Sequence, residues 1–216
     1  MTTYDPFKPV KFDRSPRENA EFLLFCILVP GKHAEKTKDK LDKILADLDP
    51  QHDAIDTLDA MTDDALLAFL QKHRTGQYRR IMKSIRSLGC IEWQAKPDRS
   101  SLEKAIGLKS ATLFLLYSHN ARVAVLDVHV LRFIRERLGV HAPPTTPSSK
   151  STYDKLETIF LEFADDVGLS PLDADFAVWA MGKDPEVVRQ RIPADRLAKI
   201  QGDFARIERA YPKLPC

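Results

Sequence analysis

With 216 residues, 44% of them apolar and 30% charged, the chain has the balance of an ordinary globular protein, long enough to bury one large core or two small helical ones. A net charge of +2 does not by itself announce a nucleic-acid partner, so any basic surface must come from clustering. Its three cysteines, Cys26, Cys90 and Cys216, form no Cys-x-x-Cys pair, which argues against a zinc site, an iron–sulfur cluster or a disulfide framework, and no cofactor or metal is expected.

Ser15-Pro16-Arg17-Glu18 combines an N-cap serine, a proline at the first helical position and a capping-box glutamate. The helix it opens carries the longest apolar run, residues 22–29, and stops before Pro30-Gly31. That run is far short of a membrane span and is not a signal peptide, so a reducing, cytoplasmic-type or otherwise intracellular compartment is the default expectation. A second helix bears Leu41, Ile44, Leu45 and Leu48 on one face, and Thr62 caps a third. Tyr78, Ile81, Met82, Ile85 and Leu88 mark a fourth, with Gly89 expected as its left-handed stop. Ser100 or Ser101 should open a short helix ending near Ile106, with Gly107-Leu108 as the hairpin before another. Val128, Leu131, Ile134 and Leu138 make the next, ended by Gly139. After the proline-rich loop 141–150 come a helix to Val167, one from Ser170 through Trp179, and a last one bearing Leu197, Ile200, Phe204 and Ile207. The pattern predicts an all-α, two-lobed bundle with a cleft between its lobes. Residues 1–30 form a first core helix packing with the carboxy-terminal lobe; 31–138 form one lobe and 139–216 the other.

Basic residues cluster at Lys32, Lys36, Lys38, Lys40 and Lys43, at Arg79, Arg80, Lys83 and Arg86, and at Arg132, Arg135 and Arg137. The most pointed pattern lies between two of these groups. Lys109 follows Gly107 at the mouth of one helix, and Asp127 stands at the mouth of the next. A helix from Lys109 climbs about 15 Å at ~1.5 Å per residue to reach Ser118. The run from Val123 to Asp127 returns about 16 Å if extended at ~3.3 Å per residue, bringing Asp127 level with Lys109. Helix starts oppose positive charge and favour negative charge, and a neutral amine is a nucleophile. The same start offers backbone N–H groups to a phosphate, with Gly107 suited to the tight turn.

At these residues the chain resembles the helix-hairpin-helix superfamily of base-excision DNA glycosylases. Gly107, Lys109, Ala111, Asp127 and His129 match the family's hairpin glycine, catalytic lysine, helix alanine and Val/Leu-Asp-x-His turn. Gly76-Gln77-Tyr78-Arg79-Arg80 looks like the family's Gly-x-Tyr-x-x-Lys helix start. Residues 151–182, with Tyr153, Glu157, Asp173 and Trp179, are most similar to the compact archaeal-type 8-oxoguanine enzymes. The resemblance implies a glycosylase and abasic-site lyase acting on an oxidised purine in double-stranded DNA, without a metal or iron–sulfur cluster, as a monomer. Lys109 would form a Schiff base at C1′ of an extruded nucleotide, and Asp127 would stabilise the cationic sugar. Lys32, His33, Tyr78, Arg79, His129, Asp173 and Trp179 are the candidates for contacts with DNA or the base, beside Gly107.

The chain departs from the family at Ala105, where the hairpin usually has a second glycine, and at the loop Pro30-Gly31-Lys32-His33, where relatives carry an amide plug. It also continues to Cys216, well past the helix matching Trp179, where the compact enzymes end. Two other readings stand beside the main one: the same scaffold acting on another modified base, and a hairpin module that binds DNA without catalysis.

Overall fold

The structure, a computed structural model, describes residues 10–183, 188 and 194–213. Among the described residues there are eleven helices and no strand, the all-α fold expected. They are α1 (Pro16–Leu28), α2 (Ala34–Ala46), α3 (Ala54–Asp59), α4 (Asp63–Lys72), α5 (Tyr78–Leu88), α6 (Arg99–Ile106), α7 (Leu108–His119), α8 (Val128–Arg137), α9 (Lys150–Asp166), α10 (Pro171–Met181) and α11 (Ala194–Ala210). No helix is long and apolar enough to cross a membrane among these residues. The chain divides into two compact units, Met1–His119 and Asn120–Cys216, so the break falls ahead of α8 rather than after it at residue 138.

The first unit is built around α1. The capping box at Ser15 forms as read, Ser15 accepting from the Glu18 N–H and Glu18 accepting from the Ser15 N–H. Every residue from Ala20 to Leu28 is buried, Glu21 included, which pairs with Arg17 at 3.3 Å. This helix packs on α2, α3, α5 and α7, all within its own unit, and Phe22 stacks on Phe114 of α7 with ring centroids 6.0 Å apart. Cys26 lies at the centre of this packing, where burial pushes its thiol pKa far up, while Cys90 is exposed.

Three local expectations change. Helix α3 was not read from the pattern; Asp53 caps it, accepting from the Ile55 and Asp56 N–H groups, but six residues carry too little periodicity to show. Helix α6 is capped by Asp98, which accepts from the Ser101 N–H at 2.8 Å, and not by a serine. Gly89 is right-handed, at φ −59°, so it is no left-handed stop. A Cβ there would collide with the Asp59 carboxylate, which is held against it by Arg86 at 2.9 Å. Close approach explains this glycine.

In the second unit α8, α9 and α10 enclose an aromatic centre: Phe163 lies 4.7 Å from Phe133 and 5.5 Å from Phe160, ring centre to ring centre. Helix α11 covers α10, with Val188 and Ile200 packed on Ala180 and Phe176, Trp179, Leu197 and Phe204 around them.

The hairpin between α6 and α7 is a single residue. Gly107 has φ 89° and ψ 156°, a region closed to residues with a side chain, although a Cβ would meet nothing within 4 Å. Ala105, the departure from the family pattern, sits buried inside α6, where no glycine conformation is needed. Gly107→Ala is therefore expected to lower stability by about 1–3 kcal/mol through backbone strain alone. Chemical denaturation checks this; an unchanged midpoint would show that the turn relaxes freely.

Candidate active site

Lys109 stands on the first turn of α7, directly after this turn. Gly107 closes α6 by donating its N–H to Glu103 O at 3.0 Å and opens α7 by accepting from the Ala111 N–H. The N–H groups of the first turn ahead of Ala111 have no helical acceptor and point out of the helix start. The Lys109 side chain is half-buried, and its amine enters no ion pair or hydrogen bond among the described residues. No ion pair among the described residues ties this lysine to the fold, and it stands at the positive end of a helix.

Asp127 is the N-cap of α8. Its Oδ1 accepts from the His129 N–H at 2.8 Å and the Val130 N–H at 2.9 Å, and Oδ2 takes no hydrogen bond among the described residues. One oxygen is thus committed to the helix and the other is available. The segment delivering it, residues 123–126, is buried but belongs to no helix or strand, so its backbone groups need other partners. Two side chains one turn apart on α9 supply three of them. Glu157 accepts from the Ala124 N–H at 2.9 Å; the Tyr153 hydroxyl donates to Ala124 O at 3.0 Å and accepts from the Leu126 N–H at 3.2 Å. Thr146 donates to Leu126 O at 2.8 Å. Asp127 N–H itself closes a tight turn onto Val125 O at 2.7 Å.

The remaining candidates fall into two groups, one in each unit. Lys32 lies in the α1–α2 loop beside the turn before α5: Gln77 reaches Pro30 O at 3.5 Å, and Arg80 donates to Ile27 O at 2.6 Å and to Gln77 Oε1 at 2.7 Å. Gln77 adopts φ 50° as the left-handed N-cap of α5, which leaves Tyr78 half-buried and Arg79 exposed at the helix start. Lys32 donates to Leu28 O at 2.8 Å, and its pKa is lowered to about 8, first by burial and then by the facing charges of Arg80 and Lys40. His33 is exposed at the start of α2 and makes no side-chain cap. Arg80 and Lys40 organise this cluster, a role their one-dimensional charge runs did not reveal. Elsewhere in the same two runs Lys38 pairs with Asp42 and Arg86 with Asp59 and Asp63.

In the second unit His129 follows Asp127 on α8, with Nδ1 3.1 Å from Arg132 Nη2. Trp179 is half-buried against the α10–α11 cluster, with Lys183 Nζ 5.5 Å from its ring centre. Asp173 accepts from Ser170 Oγ at 2.7 Å and from Lys199 at 2.6 Å, which ties α10 to α11. Among the described residues no group of three or more His, Cys, Asp or Glu side chains is placed to hold a metal ion.

Two outcomes follow from this geometry. Tyr153→Phe leaves the Leu126 N–H and Ala124 O without their partner and should cost about 1–3 kcal/mol in a denaturation experiment; a neutral result would show that the loop does not lean on this hydroxyl. Lys32 should titrate near pH 8 by NMR, and Arg80→Gln should move its midpoint upward without restoring 10.5, because burial is the larger cause. The folded state thus binds this proton less readily than the unfolded chain, so the group's contribution to stability rises with pH between about 8 and 10.5.

A sequence model of the 8-oxoguanine DNA glycosylase family matches residues 2–169. The 8-oxoguanine DNA glycosylase/AP lyase of Saccharolobus solfataricus is 28% identical over 102 residues, 47% of this chain and 49% of that protein, so the match spans about half the length of this curated relative. The crystal structure of the Thermotoga maritima 8-oxoguanine DNA glycosylase superposes with a TM-score of 0.61 at 23% identity, over 82% of this chain and 85% of that one. That of the Methanocaldococcus jannaschii 8-oxoguanine glycosylase/lyase in complex with 15mer DNA containing 8-oxoguanine gives 0.58 at 21% identity, over 79% and 84%. The structures share the fold, and the family match takes in both Lys109 and Asp127: the chain belongs to the 8-oxoguanine DNA glycosylase family.

Proposed function

We propose that the protein excises 8-oxoguanine from double-stranded DNA and then cleaves the abasic strand, with Lys109 as nucleophile and Asp127 as its carboxylate partner. The observation that carries this reading is the half-buried, unpaired amine of Lys109 on the first turn after Gly107, inside the family match. In the neutral form its nitrogen attacks C1′ as the bond from C1′ to the base breaks, and the base leaves with that electron pair and takes up a proton. Opening of the sugar ring gives the iminium. Loss of a proton from C2′ then expels the 3′ phosphate, and water releases the lysine. Asp127 Oδ2 faces the positive charge that develops on the sugar and amine, while Oδ1 keeps the carboxylate oriented. Lys32, His33, Tyr78 and Arg79 contact DNA in the first unit and His129 in the second; Asp173 and Trp179 shape the base side. The protein works inside the cell, as a monomer and without a metal or cluster.

Borohydride should trap wild-type protein on abasic-site DNA, and Lys109→Ala should yield no adduct; a persistent adduct would move the nucleophile elsewhere. Asp127→Asn tests the charge apart from the cap, because asparagine caps a helix about as well as aspartate. It should keep its stability and DNA affinity while turnover falls about 100-fold or more. A loss of folding and binding together would make Asp127 merely structural. A panel of duplexes, each with one lesion, should rank 8-oxoguanine first.

A further inference from the structure

The family match ends at residue 169, yet α10, α11 and the segment after them are built into the second unit. With α8, the end of α10 and Lys213 after α11 line an open cavity of about 370 Å³. Among its described lining residues Phe133, Val178 and Met181 are apolar, and Arg132, Arg137, Lys183 and Lys213 outnumber the carboxylate of Glu136. Each described arginine is held in place. Arg137 donates to Tyr211 O at 3.1 Å, with Glu208 farther off at 3.7 Å. Arg132 lies against His129 Nδ1 and donates to Gly182 O at 3.4 Å. Gly182 is demanded by that arrangement: a Cβ would come within 2.6 Å of both Arg132 Nη2 and His129 Nδ1.

Fixed cations around an open cavity, in excess over carboxylates, suit a phosphate. We infer that the cavity between α8, α10 and the chain following α11 binds backbone phosphodiester of the DNA strand that carries the lesion. This rests on the proposed DNA substrate. The direction comes from α8: the cavity starts at His129, two residues beyond Asp127, and runs down the helix to Arg137. Ten residues of helix span about 15 Å, the rise of roughly four nucleotides at ~3.4 Å each. A strand leaving the sugar at Asp127 has a charged track along this helix, and the elements beyond the family match supply its outer wall.

The test is the salt dependence of binding to 8-oxoguanine duplex by Lys183→Ala/Lys213→Ala, with Lys155→Ala on the exposed face of α9 as control. Both substituted lysines lie at the cavity wall, outside the packed core. The double variant should bind at least about 10-fold more weakly near physiological salt and lose about 2 from the log–log slope, roughly 0.9 for each phosphate contact. The Lys213→Ala single variant, which leaves Trp179 and the Lys183 contact on it intact, should keep its single-turnover excision rate at saturating enzyme within about twofold. An unchanged slope, or an equal change in Lys155→Ala, overturns the inference. So does orthophosphate or deoxyguanosine monophosphate occupying the cavity by NMR while the DNA slope of the double variant equals wild type, which would assign the site to a free anion. If wild type binds no duplex at all, the proposed function falls with it, whereas wild-type binding with an unchanged variant removes only this site.

Discussion

The second unit turns on a problem of unsatisfied backbone. Residues 123–126 run through the interior with no helix or sheet to take their N–H and C=O groups, and an orphaned buried amide costs as much as a lost hydrogen bond. Tyr153 and Glu157 answer it from one face of α9, themselves buried and therefore unable to turn to water instead. Because the cap of α8 follows at once, the position of Asp127 is set by a tyrosine hydroxyl and a carboxylate on another helix. The irregular run is tolerated because its end has to deliver a carboxylate to a helix mouth.

Lys109 is delivered by opposite means. There the backbone does the work: one glycine in a conformation available to little else joins α6 to α7, and the lysine rides on the first turn that follows. The hairpin needs no side-chain scaffold, and Ala105 in place of the family's other glycine costs nothing, since that residue is already helical. Lys109 is placed by local chain geometry and Asp127 by long-range hydrogen bonds.

That difference also explains what could be read in advance. Caps at Ser15, Thr62 and Ser170 and the glycine turn are local signals, and all of them form, as do the two helix starts that carry Lys109 and Asp127. The all-α class follows from them. Helix α3 escaped because six residues show no stripe, and Gly89 was misread because its reason is the Asp59 carboxylate thirty positions upstream, which no local pattern encodes. Tyr153 and Glu157 looked like family landmarks without a task, because their partners lie across a loop and a helix. Arg80 read as one more charge in a run, whereas the fold makes it the tie between the end of α1 and the left-handed turn before α5.

The placement of the thiols has a chemical corollary. Guanine is oxidised when reactive oxygen is abundant, so under the proposed function the protein meets the same oxidants as its substrate. Sulfur is attacked as thiolate. At Cys26 the apolar packing of α1 suppresses that anion, so the helix on which the first unit is assembled holds its sulfur in an inert state. Of the two thiols among the described residues, Cys90, out on the surface after α5, is the one that peroxide can reach.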